Sequence, residues 1–410
     1  MQLRKDADFI IKSSIEAVLP DSAVARALQG ADLGSGKLIL VAIGKAGWQM
    51  AKAASDILGG RITNGVVVTK YDHNKGELPN ITVYEAGHPV PDENSFKATA
   101  AAIDAVSGLC ADDCVLFLVS GGGSALFEKP LIPESDLDRL TRELLASGAD
   151  IVEMNTIRKR ISAVKGGKFA KLCSPAKVFS IVLSDIIGDP LDMIASGPAY
   201  PDSSTCAEAA AIAEKYDLTL TDEMKSLLGV ETPKQLDNVE THITGSVREL
   251  CAAAEKACKQ LGYKPFVLTS SLSCIARDAG TFLANIVQHH ADSKESLAFI
   301  AGGETVVKLT GKGKGGRNQE LALAAAPAIA ALNGVAVFSV GSDGTDGPTD
   351  AAGGYVDNTT AAKLAEMGVD IHAVLADNDA YHALEKCGGL IMTGATGTNV
   401  NDVAVLLIKR

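Results

Sequence analysis

The 410-residue chain has few aromatic residues, a marked excess of negative charge and no long hydrophobic run. Its aromatic content of 4% and formal net charge of −12 argue against base-stacking platforms and against a nucleic-acid-binding surface. No apolar run approaches the roughly 20 residues that a bilayer span requires. The first residues are polar and lack the apolar core of a signal peptide. We therefore expect a cytoplasmic protein with neither nucleic-acid nor membrane partners.

Cysteine motifs are also missing. The chain has eight cysteines, and none of them forms a Cys-x-x-Cys pair. Cys110 and Cys114 flank two aspartates and come nearest to a zinc-binding pattern. We interpret all eight as ordinary buried or half-buried thiols of a cytoplasmic protein.

What the sequence does contain is an alternation of short apolar segments and helical patterns. A hydrophobic content of 47% and a length of 410 residues predict a globular protein of two domains. The nearly continuous apolar segments 38–43, 65–69, 81–85, 114–119 and 178–183 predict buried strands, with helices over 46–58, 94–106 and 136–145. This pattern is typical of an α/β fold with a doubly wound, Rossmann-like, mostly parallel sheet.

A second set of elements follows. Segments 265–269, 297–300, 335–340 and the residues before Thr393 predict strands, with helices over 248–260, 275–287, 319–332 and 360–366. A polar stretch over 228–244 separates the two sets, so we predict domains over 1–235 and 236–410, the second a smaller α/β domain. Segment 402–408 predicts a last strand that could close either sheet.

In open α/β sheets, ligands bind beyond the carboxyl ends of the strands. Glycine-rich loops lie at two such positions, and their hydroxyl and N–H groups could surround a phosphate, although tight turns are the alternative. One of them follows the β-branched stretch 304–310, carries fixed cations and opens a helix, whose N-terminus adds positive potential. The predicted nucleotide- or phosphate-binding residues are Ser120, Gly121, Gly122, Gly123, Ser124, Gly315, Gly316 and Asn318.

Charged residues at the same strand ends complete the pattern. Lys45 follows the first strand and could neutralise a transferring phosphoryl group. Arg158 and Lys165 share one helical face, which fits a substrate carboxylate or a solvated basic surface. Four aspartates follow strands and could hold Mg²⁺ or accept a hydroxyl proton, or else cap helices and turns. They are Asp185, Asp189, Asp343 and Asp346.

A dinucleotide motif, G-x-G-x-x-G, is formally present. It is formed by Gly311, Gly313 and Gly316, but no acidic residue follows at the spacing of a ribose partner. The interleaved lysines favour a charged clamp over a nicotinamide site.

Taken together, the motifs resemble those of the type-2 glycerate kinases, also called the glycerate kinase/hydroxypyruvate reductase-like family, with a C-terminal MOFRL domain. The resemblance covers nearly the whole chain and is carried by segments 44–47, 85–92, 120–126, 155–167, 184–189, 195–198, 302–304, 315–320, 343–347 and 393–402. It implies transfer of the γ-phosphoryl group of ATP to D-glycerate with Mg²⁺, giving 2-phosphoglycerate and ADP. It also implies an active-site cleft between the two domains.

The resemblance implies roles for particular residues. Lys45 and Arg317 match the active-site lysine and arginine of the family. With the pattern above, this gives catalytic roles to Lys45, Arg317 and Asp189, substrate contacts to Asn155, Arg158 and Lys165, and metal ligands in Asp185 and Asp343. The segment 272–277 departs from the family pattern by lacking its acidic residue. The alternatives are an NAD(P)H-dependent hydroxypyruvate reductase with His88 as proton donor, and a non-catalytic sensor of sugar acids or nucleotides. A homodimer is left open.

Overall fold

The computed structural model describes residues 2–410 and contains sixteen α-helices within that range. They are α1 (Gln2–Ala17), α2 (Pro20–Leu28), α3 (Gly47–Leu58), α4 (Glu93–Ala105), α5 (Gly123–Leu126), α6 (Glu134–Ala146), α7 (Ile151–Arg160), α8 (Lys168–Cys173), α9 (Cys206–Lys215), α10 (Asp222–Leu228), α11 (Val247–Gln260), α12 (Ala276–His289), α13 (Arg317–Ile329), α14 (Thr360–Glu366), α15 (Ile371–Ala376) and α16 (Ala380–Cys387). None of these helices is both long and apolar enough to cross a bilayer.

Twelve strands form two six-stranded sheets in the described part of the chain. The first sheet contains β1 (Leu38–Ile43), β2 (Asn64–Lys70), β3 (Ile81–Ala86), β4 (Cys114–Val119), β5 (Lys177–Leu183) and β6 (Val239–Gly245). The second contains β7 (Lys264–Leu272), β8 (Leu297–Gly303), β9 (Val335–Gly341), β10 (Gly353–Asp357), β11 (Leu390–Ile391) and β12 (Asp402–Ile408). The α/β fold with two sheets is therefore confirmed.

The first sheet has the strand order β3-β2-β1-β4-β5-β6. Strands β1 to β5 pair in parallel, and β1 and β4 are buried at every position. Continuous burial explains why these segments are apolar throughout, because helices cover both faces of a parallel sheet. This order, which reverses beside β1, is that of a doubly wound sheet, in which the crevice beyond the strand ends near β1 is the usual ligand site.

The second sheet is mixed and has the order β11-β10-β9-β12-β8-β7. Strand β12 lies at its centre and runs antiparallel to both β8 and β9. The last strand therefore completes the second sheet. Its apolar side chains share a buried core with α1, where Ile10 and Ile11 join Val403 and Val405.

Contacts divide the chain into two compact units that are discontinuous in sequence. The first-sheet unit comprises Val24–Leu183 and Asp189–Thr244; the second-sheet unit comprises the residues up to Ala23, Ser184–Gly188 and Gly245–Arg410. This grouping differs from a boundary at residue 235, because most of β6 belongs with the first sheet and α1 packs with the second. Strand β6 was not predicted because its residues are mostly half-buried and partly polar. Strand β10 was not predicted because it begins with two glycines.

Candidate active site

Arg317 is the first residue of α13 and is held by two carboxylates of the second-sheet unit. Its Nε lies 2.5 Å from Asp402 Oδ2 and its second terminal nitrogen lies 3.1 Å from Asp402 Oδ1, a forked pair. The other terminal nitrogen lies 3.2 Å from Glu304 Oε1. Burial acts to lower the pKa of the guanidinium, but Asp402 outweighs it, so the pKa is raised. Arg317 is therefore a fixed cation with about a third of its side chain exposed.

The N-terminus of α13 is closed by a side chain from another segment. Oδ1 of Asp346 accepts from the Asn318 backbone N–H at 3.2 Å and Oδ2 accepts from the Gln319 N–H at 2.9 Å. Asp346 is buried, and burial raises the pKa of its carboxyl to about 6 despite these hydrogen bonds. The Asn318 side chain donates to Asp346 and accepts from Ser339. The backbone N–H group of Asn318, which was predicted to face a phosphate, thus already has an acceptor within the protein.

The glycine loop before α13 also differs from the prediction. Residues 304–310 contain only an isolated bridge, at Val306, instead of a strand. The backbone N–H groups of Gly311 and Lys312 donate to Asn378 Oδ1 and Asp377 Oδ1, and that of Gly313 donates to the Asp377 carbonyl. The N–H groups of residues 311–313 are therefore used within the protein, whereas the phosphate contacts of Gly315 and Gly316 stay predictions. The reason is that the 377–379 turn offers acceptors that the linear pattern did not reveal.

Two aspartates approach each other beside Gly341 at the end of β9. A Cβ on Gly341 would lie 3.2 Å from Asp343 Oδ1 and 3.4 Å from Asp402 Oδ1. The structure thereby brings Asp343, Asp402 and Arg317 to one end of the second sheet. Glu304 and Asp402 were not among the predicted site residues. The signal for them was their place in the family segments 302–304 and 393–402.

Lys45 lies in the turn between β1 and α3 of the first-sheet unit. Its backbone N–H donates to the Gly121 carbonyl at 2.9 Å. The preceding residue, Gly44, has φ +108° and lies so close to Ser120 that a Cβ on Gly44 would be 2.3 Å from the Ser120 Oγ. The Ser120 hydroxyl donates to the Ile43 carbonyl and accepts from the Ala46 N–H, each at 3.1 Å. Ser120 therefore fixes the Lys45 turn, which is a different use of the hydroxyl from the predicted phosphate contact.

Gly122 brings His88 and Lys45 together. It has φ +86°, and a Cβ there would lie 3.0 Å from a His88 ring carbon and 3.2 Å from Lys45 Cγ. Burial, and then the charge of Lys45, lower the pKa of His88. A histidine in these surroundings is mainly neutral at pH 7, so it is a poor proton donor.

Ser124 and Asn155 are joined through Ser196. The Ser196 hydroxyl lies 2.9 Å from Ser124 Oγ and donates to Asn155 Oδ1 at 3.0 Å. Ala195 and Ser196 both have positive φ, 52° and 60°, a backbone conformation that side-chain-bearing residues rarely adopt. The strained turn puts the Ser196 hydroxyl between the other two side chains. Ser196 was predicted only as part of the segment 195–198.

Arg158 and Lys165 converge on the Ser124 segment. Lys165 Nζ donates to the carbonyls of Ser124 and Phe127 at 2.8 and 2.9 Å and lies 3.2 Å from Glu128 Oε2. Lys165 is fully buried, and burial lowers its pKa to about 8 although Glu128 opposes the shift. One Arg158 terminal nitrogen donates to the Ser124 carbonyl at 3.2 Å. Of the two cations, only Arg158 retains an exposed part, 13% of its side chain.

The aspartates after β5 lie in a half-buried segment. Asp189 has φ 53°, and its Oδ1 is buried without a hydrogen-bond partner among the described residues. Asp185 belongs by its contacts to the second-sheet unit and Asp189 to the first-sheet unit. Among residues 2–410, no group of three or more His, Cys, Asp or Glu side chains could hold a metal ion. Mg²⁺ bound with a nucleotide needs only one or two carboxylates, so single aspartates still fit it chemically.

The cysteines are free thiols, but Cys110 and Cys274 are exposed, so the prediction that all eight are buried or half-buried is wrong for these two. Cys114, Cys173, Cys251 and Cys258 are buried, and burial raises their pKa values to about 11 or 12. They are therefore poor nucleophiles at neutral pH.

Comparison with known proteins gives matches along the whole chain. The model of a domain of unknown function, DUF4147, matches residues 6–229, and that of the MOFRL family matches residues 297–402. D-glycerate 2-kinase from Thermotoga maritima is 52% identical over 99% of this chain and 98% of its own length. Glycerate 2-kinase from Pyrococcus horikoshii is 41% identical over 100% of this chain and 98% of its own.

A solved structure and a differently named relative complete the comparison. The crystal structure of glycerate kinase from Thermotoga maritima superimposes with a TM-score of 0.96 at 51% identity, covering 100% of both chains. A protein from Agrobacterium vitis, 38% identical over 91% of this chain and 87% of its own length, is named putative hydroxypyruvate reductase. The motif resemblance is thus confirmed: the chain belongs to the MOFRL family of glycerate kinases.

Proposed function

We propose that this protein is a glycerate 2-kinase, which transfers the γ-phosphoryl group of ATP to D-glycerate and releases 2-phosphoglycerate and ADP. The observation that carries the proposal is the full-length match to the Thermotoga maritima protein named D-glycerate 2-kinase. The geometry agrees with it, since each unit presents a cation and at least one aspartate at the carboxyl ends of its strands. We expect the enzyme to act in the cytoplasm.

In the proposed reaction, the C2 hydroxyl oxygen of glycerate forms a bond to the γ-phosphorus while the bond to the β-phosphate oxygen breaks. The electron pair of that bond leaves with ADP, and the hydroxyl proton passes to a carboxylate. Phosphoryl transfer is accelerated mainly by positioning and by charge stabilisation. Mg²⁺, when bound with the nucleotide, would offset the charge of the phosphate oxygens.

We assign charge stabilisation to Arg317 in the second-sheet unit and to Lys45 in the first-sheet unit. The forked contact with Asp402 orients the guanidinium of Arg317, so little reorganisation is needed when an anion binds. Lys45 has its turn fixed by Ser120 while its side chain remains half-buried.

For the substrate carboxylate we assign Arg158 as the direct contact. Lys165 is better suited to holding the Ser124 segment in place, because three acceptors surround its ammonium group. Asn155 and Ser124, joined through Ser196, border the same segment. The sequence-based assignment of Lys165 to the substrate therefore becomes an assignment to positioning.

Asp189 is the favoured proton acceptor, because its buried Oδ1 has no hydrogen-bond partner in residues 2–410. A carboxylate oxygen left unpaired in this way is costly unless a ligand completes it. Asp343 and Asp185 are proposed to hold Mg²⁺ with the nucleotide. Nucleotide contacts are also proposed for Gly121, Gly122 and Gly123.

The experiment is to incubate the purified protein with ATP, Mg²⁺ and D-glycerate and to follow the phosphorylated product by ³¹P NMR. A 2-phosphoglycerate signal with equimolar ADP is expected. A 3-phosphoglycerate signal would contradict the positional assignment, and absence of any product would contradict the kinase. Oxidation of D-glycerate by NAD⁺ without ATP would favour the second candidate, a hydroxypyruvate reductase, which rests on the name of the Agrobacterium vitis relative.

A further inference from the structure

Asp346 combines burial, charge and position in a way that the proposed chemistry does not use. Its carboxylate, 2% exposed, lies on the N-terminus of α13, the helix whose first residue is Arg317. The helix has no side-chain cap of its own, because Gly316 occupies the N-cap position. Asp346 supplies the missing acceptors to the backbone N–H groups of Asn318 and Gln319.

The fit between the carboxylate and the helix end depends on Gly316. A Cβ at that position would lie 2.2 Å from Asp346 Cγ and 2.4 Å from each carboxylate oxygen. These distances are far below van der Waals contact with a group that is itself packed. Gly316 has φ −132°, which any residue can adopt, so the glycine is needed for space rather than for backbone conformation.

The backbone of Asp346 is fixed as well. The Thr349 hydroxyl donates to the Asp346 carbonyl at 2.8 Å, and the Gln319 side-chain amide donates to the same hydroxyl at 2.8 Å. Asp346 is thus joined to the helix twice, directly through its side-chain carboxylate and, by way of Thr349, through its backbone carbonyl. A movement of Asp346 must move the first turn of α13, which carries Arg317.

We propose that Asp346 is a positioning residue for Arg317. It fixes the first turn of α13 from outside the helix and thereby sets the place of the guanidinium. Because it occupies the N–H groups of Asn318 and Gln319, these two groups are not available to the anion, and the guanidinium of Arg317 is the contact that binds it. This inference rests on the proposed phosphoryl transfer, so wild-type turnover is measured first.

The first test replaces the aspartate by an isostere of similar volume. In Asp346→Asn, the amide nitrogen must face one of two backbone N–H donors, so one hydrogen bond is lost in either orientation. A displacement of Arg317 by a fraction of an ångström should lower kcat by about tenfold or more, with KM values changed by less than about threefold. The matched control is Asp370→Asn, which alters an exposed aspartate that caps α15 in the same unit. It should leave kcat unchanged.

The second test is a double-mutant cycle with Gly316. Gly316→Ala should lower kcat by about tenfold in the wild type, because the new methyl group displaces the carboxylate. In an Asp346→Ala background that carboxylate is gone, and the same substitution should cost about twofold or less. Equal losses in the two backgrounds would overturn the proposal.

A readout without turnover separates this inference from the proposed function. The ¹H–¹⁵N signal of Arg317 Nε–H, assigned with Arg317→Lys, should shift in Asp346→Asn and stay in place in Asp370→Asn. An unshifted signal, or a loss of thermal stability without a loss of kcat, would show that Asp346 is only structural. If the wild type shows no turnover but the Arg317 signal still shifts in Asp346→Asn, the kinase is contradicted and the positioning of Arg317 remains supported.

Discussion

The contact between Arg317 and Asp402 gives the most direct prediction. Arg317→Ala removes the forked pair to Asp402 and the contact to Glu304. If the guanidinium stabilises charge on the transferred group, kcat should fall by ~10²-fold or more, which corresponds to about 2.7 kcal/mol of transition-state stabilisation. Arg317→Lys should recover little of this loss, since an ammonium keeps the charge but loses the fork.

Stability should change too, and the structure indicates by how much. Asp402 is 6% exposed and would lose its partner, so the free energy of unfolding should fall by about 2 kcal/mol. For a unit of this size, that lowers Tm by roughly 4–8 °C. The pKa of Asp402, which burial already raises against the effect of Arg317, should rise further. Therefore the variant should regain part of its stability as the pH is lowered.

A second arginine provides the control. Arg139 on α6 pairs with Asp136 at 3.0 Å and Glu143 at 3.1 Å, and its side chain is 32% exposed against 34% for Arg317. Arg139→Ala should lower Tm without lowering kcat. The assays are steady-state ADP release at saturating substrates and thermal unfolding of the same samples. A kcat of Arg317→Ala within about threefold of the wild type would refute the reasoning.

Three further predictions concern Gly122, Lys165 and Asp346. Gly122→Ala should lower both stability and kcat, because the new methyl group would press on Lys45. The control is Gly30→Ala: Gly30 has φ +76° and open space around it, so this substitution should lower stability alone. Thermal unfolding and ADP-release assays compare the two variants. Lys165→Met should destabilise by about 3–5 kcal/mol, and the double variant with Glu128→Gln by less, as measured by urea unfolding; equal losses would show that the pair is not coupled. The raised pKa of Asp346 means that its carboxyl binds a proton more tightly in the folded state, so its contribution to stability is present at low pH and is lost as the pH rises through about 6. The unfolding free energy of the wild type relative to Asp346→Ala should therefore fall by about 1 kcal/mol from pH 5 to pH 7, and a constant difference would contradict the raised pKa.

The fold was largely predictable from the sequence because fully buried parallel strands are apolar at every position. Strands β1 and β4 were recognised for this reason. Strand β6 was not, because a half-buried edge strand tolerates polar residues. The position of β12 could not be decided, since an apolar strand fits the centre of either sheet. Pairing partners are a property of the whole chain and not of the segment.

The site was predicted only in part. Strand-end positions indicated Lys45 and Arg317 as site residues. The comparisons show the family of the chain, but the roles of these two residues remain predictions. The glycine loop was expected to bind phosphate, but the N–H groups of Gly311 and Lys312 at its start contact Asn378 and Asp377, which lie more than sixty residues later in the sequence. The carboxylate of Asp346 likewise occupies the N–H groups of Asn318 and Gln319, from 28 and 27 residues further along the sequence. Linear motifs show where backbone donors cluster, but they do not show which distant acceptors already use them.

The central place of β12 bears on how the protein is made. All other strands of the second sheet precede it in the sequence, so β8 and β9 have no common neighbour until β12 emerges from the ribosome. Helix α1 is synthesised before α11 and β12, which both contribute to the core that covers its apolar face, so this face lacks part of its cover for a time on the order of tens of seconds. During translation this helix is therefore a natural target for chaperones, while the first sheet can already fold.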